Sequence, residues 1–200
     1  MVQPLVVIGS PAEDSLRTAQ LLGRAPLDGF LLRSPSLLTP PLPGDSTTGR
    51  MTWALIAPEL YSTWNSFLPY SFNDGSRWAG RGLNVQVRSG VRFESGRFSV
   101  VVAPELIYAQ NLDFPHIDNP KGNRSTFAAR WHTEAISIDL PWRFGDRRRL
   151  SLAPGQSSLS IETGPVTFGL ATENAWWGPG IRNAIVMSNN AGGVPRLFLR

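Results

Sequence analysis

The chain has 200 residues, 42% of them hydrophobic and 17% charged, with a formal net charge of +4 and no cysteine. That length fits one domain or two, the missing cysteines exclude a disulfide framework and a thiolate metal site, and 18 of the 19 basic residues are arginine. No run of ~20 apolar residues exists, which excludes a transmembrane helix but not a membrane, because barrel strands need only ~10 alternating residues each.

At the N-terminus, Leu5-Val6-Val7-Ile8 is a short apolar run without a basic start, so it is not a full secretory signal. Ser10-Pro11-Ala12-Glu13 reads as a capping box, with Pro11 at the first helical position and Glu13 expected to return to the Ser10 amide. The spacing predicts one helix over residues 11–22, stopped at Gly23, and a second short turn near Pro26–Leu31. Pro35 to Gly49 reads as a linker, with Pro35, Pro40, Pro41 and Pro43 expected to block both helix and ladder. Residues 1–50 are therefore expected to be a helical plug segment and linker, and residues 51–200 the first strands of a barrel.

From Met51 the period changes to two. Leu83, Val85, Val87, Val91 and Phe93 share one face, opposite Asn84, Gln86, Arg88, Gly90 and Arg92. Glu94–Arg97 is a tight turn and Phe98–Tyr108 the returning strand, with Val101, Ala103, Glu105 and Ile107 on the face opposite Phe98 and Leu106. Trp131–Leu140 alternates too, and Ser158–Glu162 pairs with Val166–Leu170 across Thr163-Gly164-Pro165. Ala57-Pro58-Glu59-Leu60-Tyr61 is echoed by Ala103-Pro104-Glu105-Leu106-Ile107-Tyr108, and a proline inside a strand marks a bulge or an edge. Six or seven strands are expected, ending in Val194–Arg200 as the opening of another. Long polar connections (Tyr70–Gly82, Gln110–Ser125, Asn174–Asn183) alternate with tight ones, the outer-membrane pattern. A soluble sandwich or closed barrel has the same period and is the competing fold.

The last quarter carries the chemistry. Glu173-Asn174-Ala175-Trp176-Trp177-Gly178-Pro179-Gly180, continued by Ser188-Asn189-Asn190-Ala191, is glycine-broken and is expected to be a loop. Indole faces beside amides suit a sugar: Trp176 and Trp177 for stacking, Asn174, Asn183, Asn189 and Asn190 for hydroxyls, and Arg182 for a carboxylate. The competing roles are a membrane-boundary or core position for the tryptophans and an Arg182–Glu173 ion pair. On the strands, Glu59, Arg88, Arg92 and Glu105 fall on the polar face, where opposite charges form ladders. Arg147-Arg148-Arg149 sits on a turn that suits lipid phosphate, anionic glycan or plain solvent.

This segment, with Gly155-Gln156-Ser157-Ser158-Leu159 and Gln20-Leu21-Leu22-Gly23, resembles the capsule assembly Wzi family. The resemblance implies an all-β fold: an antiparallel outer-membrane β-barrel, here its N-terminal part, preceded by a short helical segment. It implies a lectin-like protein that holds capsular or extracellular polysaccharide on a Gram-negative cell surface, working as a monomeric barrel among outer-membrane lipid. Barrels of that family are larger than 200 residues, so the chain is expected to be a fragment.

Other classes find less support. His116 and His132 lie in no metal-ligand spacing, and neither a metal nor a cofactor is called for. Glu59 with Glu105, or Glu134 with Asp139, offers a glycosidase pair that no spacing demands. Gly80-Arg81-Gly82 leads into a strand and not a helix, which excludes a nucleotide loop, and the basic residues share no aromatic platform for nucleic acid. A passive porin and a surface glycan hydrolase remain the alternatives to a binding barrel.

Overall fold

The computed structural model describes residues 1–43, 51–69, 73–114, 145–180, 183–184 and 186–200. The expected strand at Trp131–Leu140, both histidines, Glu134, Asp139 and Arg182 lie outside them. Over the rest, the period-two segments all become strands, and the fold is mostly antiparallel sheet with two helices.

The strands are β1 (Val2–Gln3), β2 (Leu32–Arg33), β3 (Thr52–Asn65), β4 (Gly82–Ser95), β5 (Phe98–Val102) and β6 (Glu105–Ala109). They continue with β7 (Arg149–Ala153), β8 (Ser158–Thr163), β9 (Val166–Ala171), β10 (Trp176–Trp177) and β11 (Arg196–Leu199). Nine of them form one open sheet in the order β1-β3-β4-β5-β8-β9-β11, with β6 joining β4 to β7. Every pairing is antiparallel except β1 with β3.

The 14-residue β4 is the spine of this sheet. Its second half pairs with β5 and its first half with β6, because the returning strand breaks at Ala103-Pro104. Pro104 has no N–H for a ladder bond. The gap is filled by the segment before β8: Gln156 N–H donates to Ala103 O at 3.0 Å, and Ser157 Oγ accepts from Ala103 N–H at 3.0 Å. Gly155, at φ +61°, makes that approach possible, since a Cβ there would lie 2.3 Å from Ala103 O. The echoed Ala57-Pro58 does the same in β3, where the register shifts between Ile56 and Glu59. Both prolines are thus the ladder breaks that their place in the strand predicts.

The tight turns fall at Gly96-Arg97 and Gly164-Pro165, with Gly96 and Gly164 at φ +57° and +64°. Among the described residues β7 is a strand that the alternation reading did not place, while the strand expected at Trp131–Leu140 lies outside them. The last, β11, pairs with β9 from Arg196↔Ala171 to Leu199↔Phe168.

Burial along these strands runs opposite to that of a sheet on an apolar core. Asn84, Gln86, Arg88, Arg92 and Glu94 of β4 are buried, while Leu83 and Val87 are exposed. The outward apolar residues line up in rows. Trp53, Phe93, Val100, Leu159, Leu170 and Leu197 are neighbours across six strands. Leu60, Val87, Leu106 and Leu152 form a second row, in which Leu60 is 70% and Leu152 73% exposed.

The N-terminal segment covers the polar face. Leu5 and Val7 pack with Ile56, Val101 and Ala103 in a small buried cluster. The first helix, α1 (Pro11–Leu21), starts as the sequence predicts: Pro11 takes the first turn, and Ser10 Oγ accepts from Glu13 N–H at 3.3 Å. The capping box is only half formed. The Glu13 carboxylate turns to Arg33 and to Gly9 N–H instead of the Ser10 amide, because buried Arg33 needs a counter-ion. The proline-rich stretch also differs from expectation. Pro35 does not block helix; it opens a helical turn, α2 (Pro35–Leu38), since its fixed φ suits the first position and the absent N–H is not needed there. Beyond it, Pro40 O accepts from Arg92 at 2.7 Å, and Leu42 N–H donates to Glu94 at 2.7 Å, which fastens the segment to β4.

Gly90 is the tightest point of the sheet, with a Cβ placed there only 1.9 Å from Val102 O. Gly90→Ala is expected to destabilise the fold by about 1–3 kcal/mol, the usual cost of overpacking, read from the urea midpoint of the full-length protein. An unchanged midpoint would show that β4 and β5 are not held this close.

Candidate functional site

The polar face needs internal partners, because each buried charge costs several kcal/mol if left alone. Arg88 is the centre. Its register neighbours are Glu59 on β3 and Glu105 on β6, one carboxylate on each flank. It pairs with both, at 3.1 Å to Glu105, and its guanidinium lies 5.7 Å from the Tyr61 ring. Arg88 is 5% exposed and Glu105 1%. Glu105 also accepts from Ser76 and, at 3.2 Å, from Gln156. Arg92, four residues further along the same face of β4, pairs with Glu94. Glu59, Arg88, Arg92 and Glu105 thus share the polar face of the sheet and are held in ion pairs.

Gln156 carries the network into the glycine-rich segment. Its amide donates to Asn174 Oδ1 at 2.8 Å and accepts from Asn174 N–H at 3.0 Å, a two-bond clasp. Asn174 Nδ2 then donates to Ala191 O at 2.7 Å. Asn189 Nδ2 reaches Ile8 O and Asn73 O, at 3.3 and 2.8 Å. Next to Asn174, buried Glu173 gathers Ser36 N–H at 2.9 Å, Ser36 Oγ, Arg196 at 3.3 Å and Arg200 at 4.0 Å.

The two tryptophans part company. The segment is not wholly a loop: Trp176 and Trp177 form β10, which pairs antiparallel with β2, Trp176 opposite Arg33 and Trp177 opposite Leu32. Successive residues of a strand face opposite ways. Trp176 is buried with the Arg33 guanidinium 4.9 Å from its ring, while Trp177 is 53% exposed. Arg33 is itself buried against Glu13, and desolvation lowers its pKa while the Glu13 charge opposes the shift. Arg17, from α1, donates to Pro179 O at 2.6 Å and to Phe30 O at 3.4 Å.

Of the residues predicted for a sugar site, Trp176, Asn174 and Asn189 are buried and come together on one cavity. Trp177, Asn183 and Asn190 are exposed on the same segment. The cavity has a volume of about 650 Å³ and lies between α1 and the inner face of β3 and β4, floored by Arg88, Glu105 and Gln156. Arg92 does not join it and lines a smaller cavity of about 310 Å³ beside the turn at Gly96. Arg147 and Arg148 are exposed ahead of β7, and Arg149, also exposed, is the first residue of that strand. Sequence reasoning missed the Arg33–Glu13 pair and the Ser36–Glu173 contact. Nothing in local spacing links partners separated by 20 and 137 positions.

Arg88, Glu105, Gln156, Glu173 and Asn174 lie within the part of the chain that a family model matches. The model of the capsule assembly protein Wzi matches residues 67–200, more than half of the chain. The chain belongs to the Wzi family. No curated protein and no solved structure matches it. Among the described residues no helix is long and apolar enough to cross a membrane. The family is one of capsule assembly at the cell surface, and in this chain Gln156, Glu173 and Asn174 serve as internal ties that join the strands, the N-terminal segment and the glycine-rich segment.

Arg88 lies between a buried carboxylate, Glu105, and a partly exposed one, Glu59. Arg88→Met is expected to cost about 3–5 kcal/mol, the usual loss when one member of a buried ion pair is removed. Glu59→Gln/Arg88→Met/Glu105→Gln is expected to recover most of that loss. Urea unfolding of the three proteins checks this, and a triple variant no better than Arg88→Met would count against charge pairing as the reason.

Proposed function

We propose that this chain builds part of the wall of an outer-membrane β-barrel that holds capsular or extracellular polysaccharide at the cell surface. The observation that carries the reading is the inverted polarity of the sheet, joined to membership of the Wzi family. Aliphatic rows face outward and paired charges face inward, the arrangement that suits hydrocarbon outside and a polar lumen within. The outward apolar residues of β4 run from Leu83 to Phe93. At about 3.3 Å per residue that is roughly 33 Å along the strand. A tilt of about 45° brings it near the ~25 Å apolar band of outer-membrane barrels. Trp53 and Phe98 towards one end, and Trp64 and Phe67 towards the other, are exposed aromatics placed as girdles are.

Polysaccharide is held, in this reading, by the exposed side of the glycine-rich segment. Trp177 offers its face to a sugar ring and Asn183 and Asn190 meet hydroxyls; Arg182, outside the described residues, is the proposed partner for acidic groups. Trp176, Asn174 and Asn189 fix the frame behind them. Lipid is the second partner, and the barrel works as a monomer that binds its glycan without turning it over.

In an encapsulated host deleted for the protein, polysaccharide is expected to move from the cells to the medium, and the wild-type gene to restore it. Trp177→Ala is expected to lower cell-bound polysaccharide several-fold with the barrel still folded. Equal retention by the deleted strain would remove the function altogether. The membrane face has its own test. Val87→Arg is expected to destabilise the protein in lipid by about 2–4 kcal/mol, as a charge near the bilayer midplane does. Unchanged stability in lipid would mean that this face meets water.

A further inference from the structure

We propose that Arg147, Arg148 and Arg149 form a binding site for the phosphate groups of a glycolipid in the outer leaflet. The inference rests on the outer-membrane reading above and adds to it a specific lipid headgroup. The cluster lies at the end of the sheet where the long connections gather. There β3 and β6 end and β4 and β7 start, with Thr63, Asn84, Ala109 and Arg149 as neighbours across the four strands. The tight turns at Gly96 and Gly164 lie at the opposite end. In outer-membrane barrels the long connections face outside and the tight ones the periplasm.

Side chains alternate along β7. Leu152 and Leu150 are 73% and 70% exposed, and they sit opposite Leu106 and Tyr108 on the outward face. Arg148, two residues before Leu150, takes the next place on that side, with Arg147 and Arg149 flanking it. The apolar stripe of β7 therefore ends in guanidinium groups. A phospholipid or phosphorylated glycolipid has the matching order, acyl chain first and phosphate next.

The cluster is held in place while its charge stays open. Buried Asn111 donates from Nδ2 to Gly145 O at 3.1 Å and to Arg147 O at 2.9 Å, which pins the backbone on both sides of Asp146. Arg33, Arg77, Arg88, Arg92 and Arg196 each hold a carboxylate. Arg147, Arg148 and Arg149 are exposed, and none of them is in an ion pair among the described residues. Three adjacent like charges repel one another, and an anion seated among them relieves that repulsion. Phosphate oxygens match the planar fork of a guanidinium. A carboxylate on a glycan would bring the same charge but would leave Leu150 and Leu152 in water. A phosphate carried on acyl chains covers both, and this favours lipid over polysaccharide at this place.

The test titrates the full-length protein in nonionic detergent with diphosphoryl lipid A, with the same lipid stripped of phosphate, and with polyglucuronate, read by thermophoresis. An arginine beside a charged lipid surface is worth roughly five-fold in affinity. Arg148→Gln is therefore expected to weaken diphosphoryl lipid A about five-fold, and Arg147→Gln/Arg148→Gln/Arg149→Gln about a hundred-fold. The dephosphorylated lipid is expected to bind wild type and triple variant alike. Undiminished binding of diphosphoryl lipid A to the triple variant overturns the proposal, as does equal binding of the two lipids to the wild type. Polyglucuronate that binds more tightly than diphosphoryl lipid A, and is lost with the same arginines, also overturns it and gives the cluster to glycan. Val87→Arg keeps the two readings apart. If that variant is destabilised in lipid while lipid binding ignores phosphate, the arginine site alone fails. If Val87→Arg leaves stability in lipid unchanged, the membrane reading fails and takes this site with it.

Discussion

The Glu59–Arg88–Glu105 row is the constraint on which the rest depends. It places a guanidinium between two carboxylates on three adjacent strands, on the face turned away from the aliphatic rows. A sheet with that face open to the low-dielectric side would pay for three desolvated charges. A sheet with the other face in water would expose Leu60, Val87, Leu106 and Leu152 in one stripe. The polarity therefore fixes which side the N-terminal segment must cover. It arrives with what the charged face lacks: Pro40 O for Arg92, Leu42 N–H for Glu94, and the apolar Leu5 and Val7 for Ile56, Val101 and Ala103.

The glycine-rich segment follows from the same requirement. Once Glu105 and Gln156 are buried on the inner face, the chain that crosses them must supply amides and not side-chain bulk. Asn174 and Asn189 do so, and Gly193 lets the chain pass where a Cβ would lie 1.9 Å from Thr172 O. Glu173 then collects α2, Arg196 at the start of β11 and Arg200 just after it, so that the N-terminal segment, the glycine-rich segment and β11 share one carboxylate.

Much of this was legible in the sequence because its signals are local. The alternation in β4 gives both the strand and its two faces; Pro58 and Pro104 give the ladder breaks; Ser10-Pro11 gives the helix start; Gly96 and Gly164 give the turns. The illegible parts are long-range. Glu13 suits a capping box on local grounds, and only the arrival of Arg33 explains why it turns elsewhere. Pro35 reads as a breaker until Ser36 is seen to need an orientation that reaches Glu173, 137 residues on. The candidate site was legible in composition, as tryptophans beside asparagines, but not in orientation. Local pattern does not tell which of two adjacent tryptophans faces inward when the pairing partner is Leu32–Arg33, more than 140 residues earlier.

Under the proposed glycan-binding role, that pairing decides which ring the segment can offer. A two-residue strand has one side chain on each face, and the partner strand has Arg33 opposite Trp176. A guanidinium stacked on an indole is favourable by about 0.5–2 kcal/mol, more when desolvated, and here Glu13 closes the other side of Arg33. Trp176 is thereby committed to holding the N-terminal segment to the glycine-rich segment. The same ladder leaves its neighbour, Trp177, no inward option: the 3.0 Å bond from its N–H to Met187 O fixes the backbone, and its ring must turn out. A flexible loop would pay rotamer and backbone entropy each time a sugar ring docked on an indole. Here the buried tryptophan has already met that cost in folding, and the exposed one is presented in place.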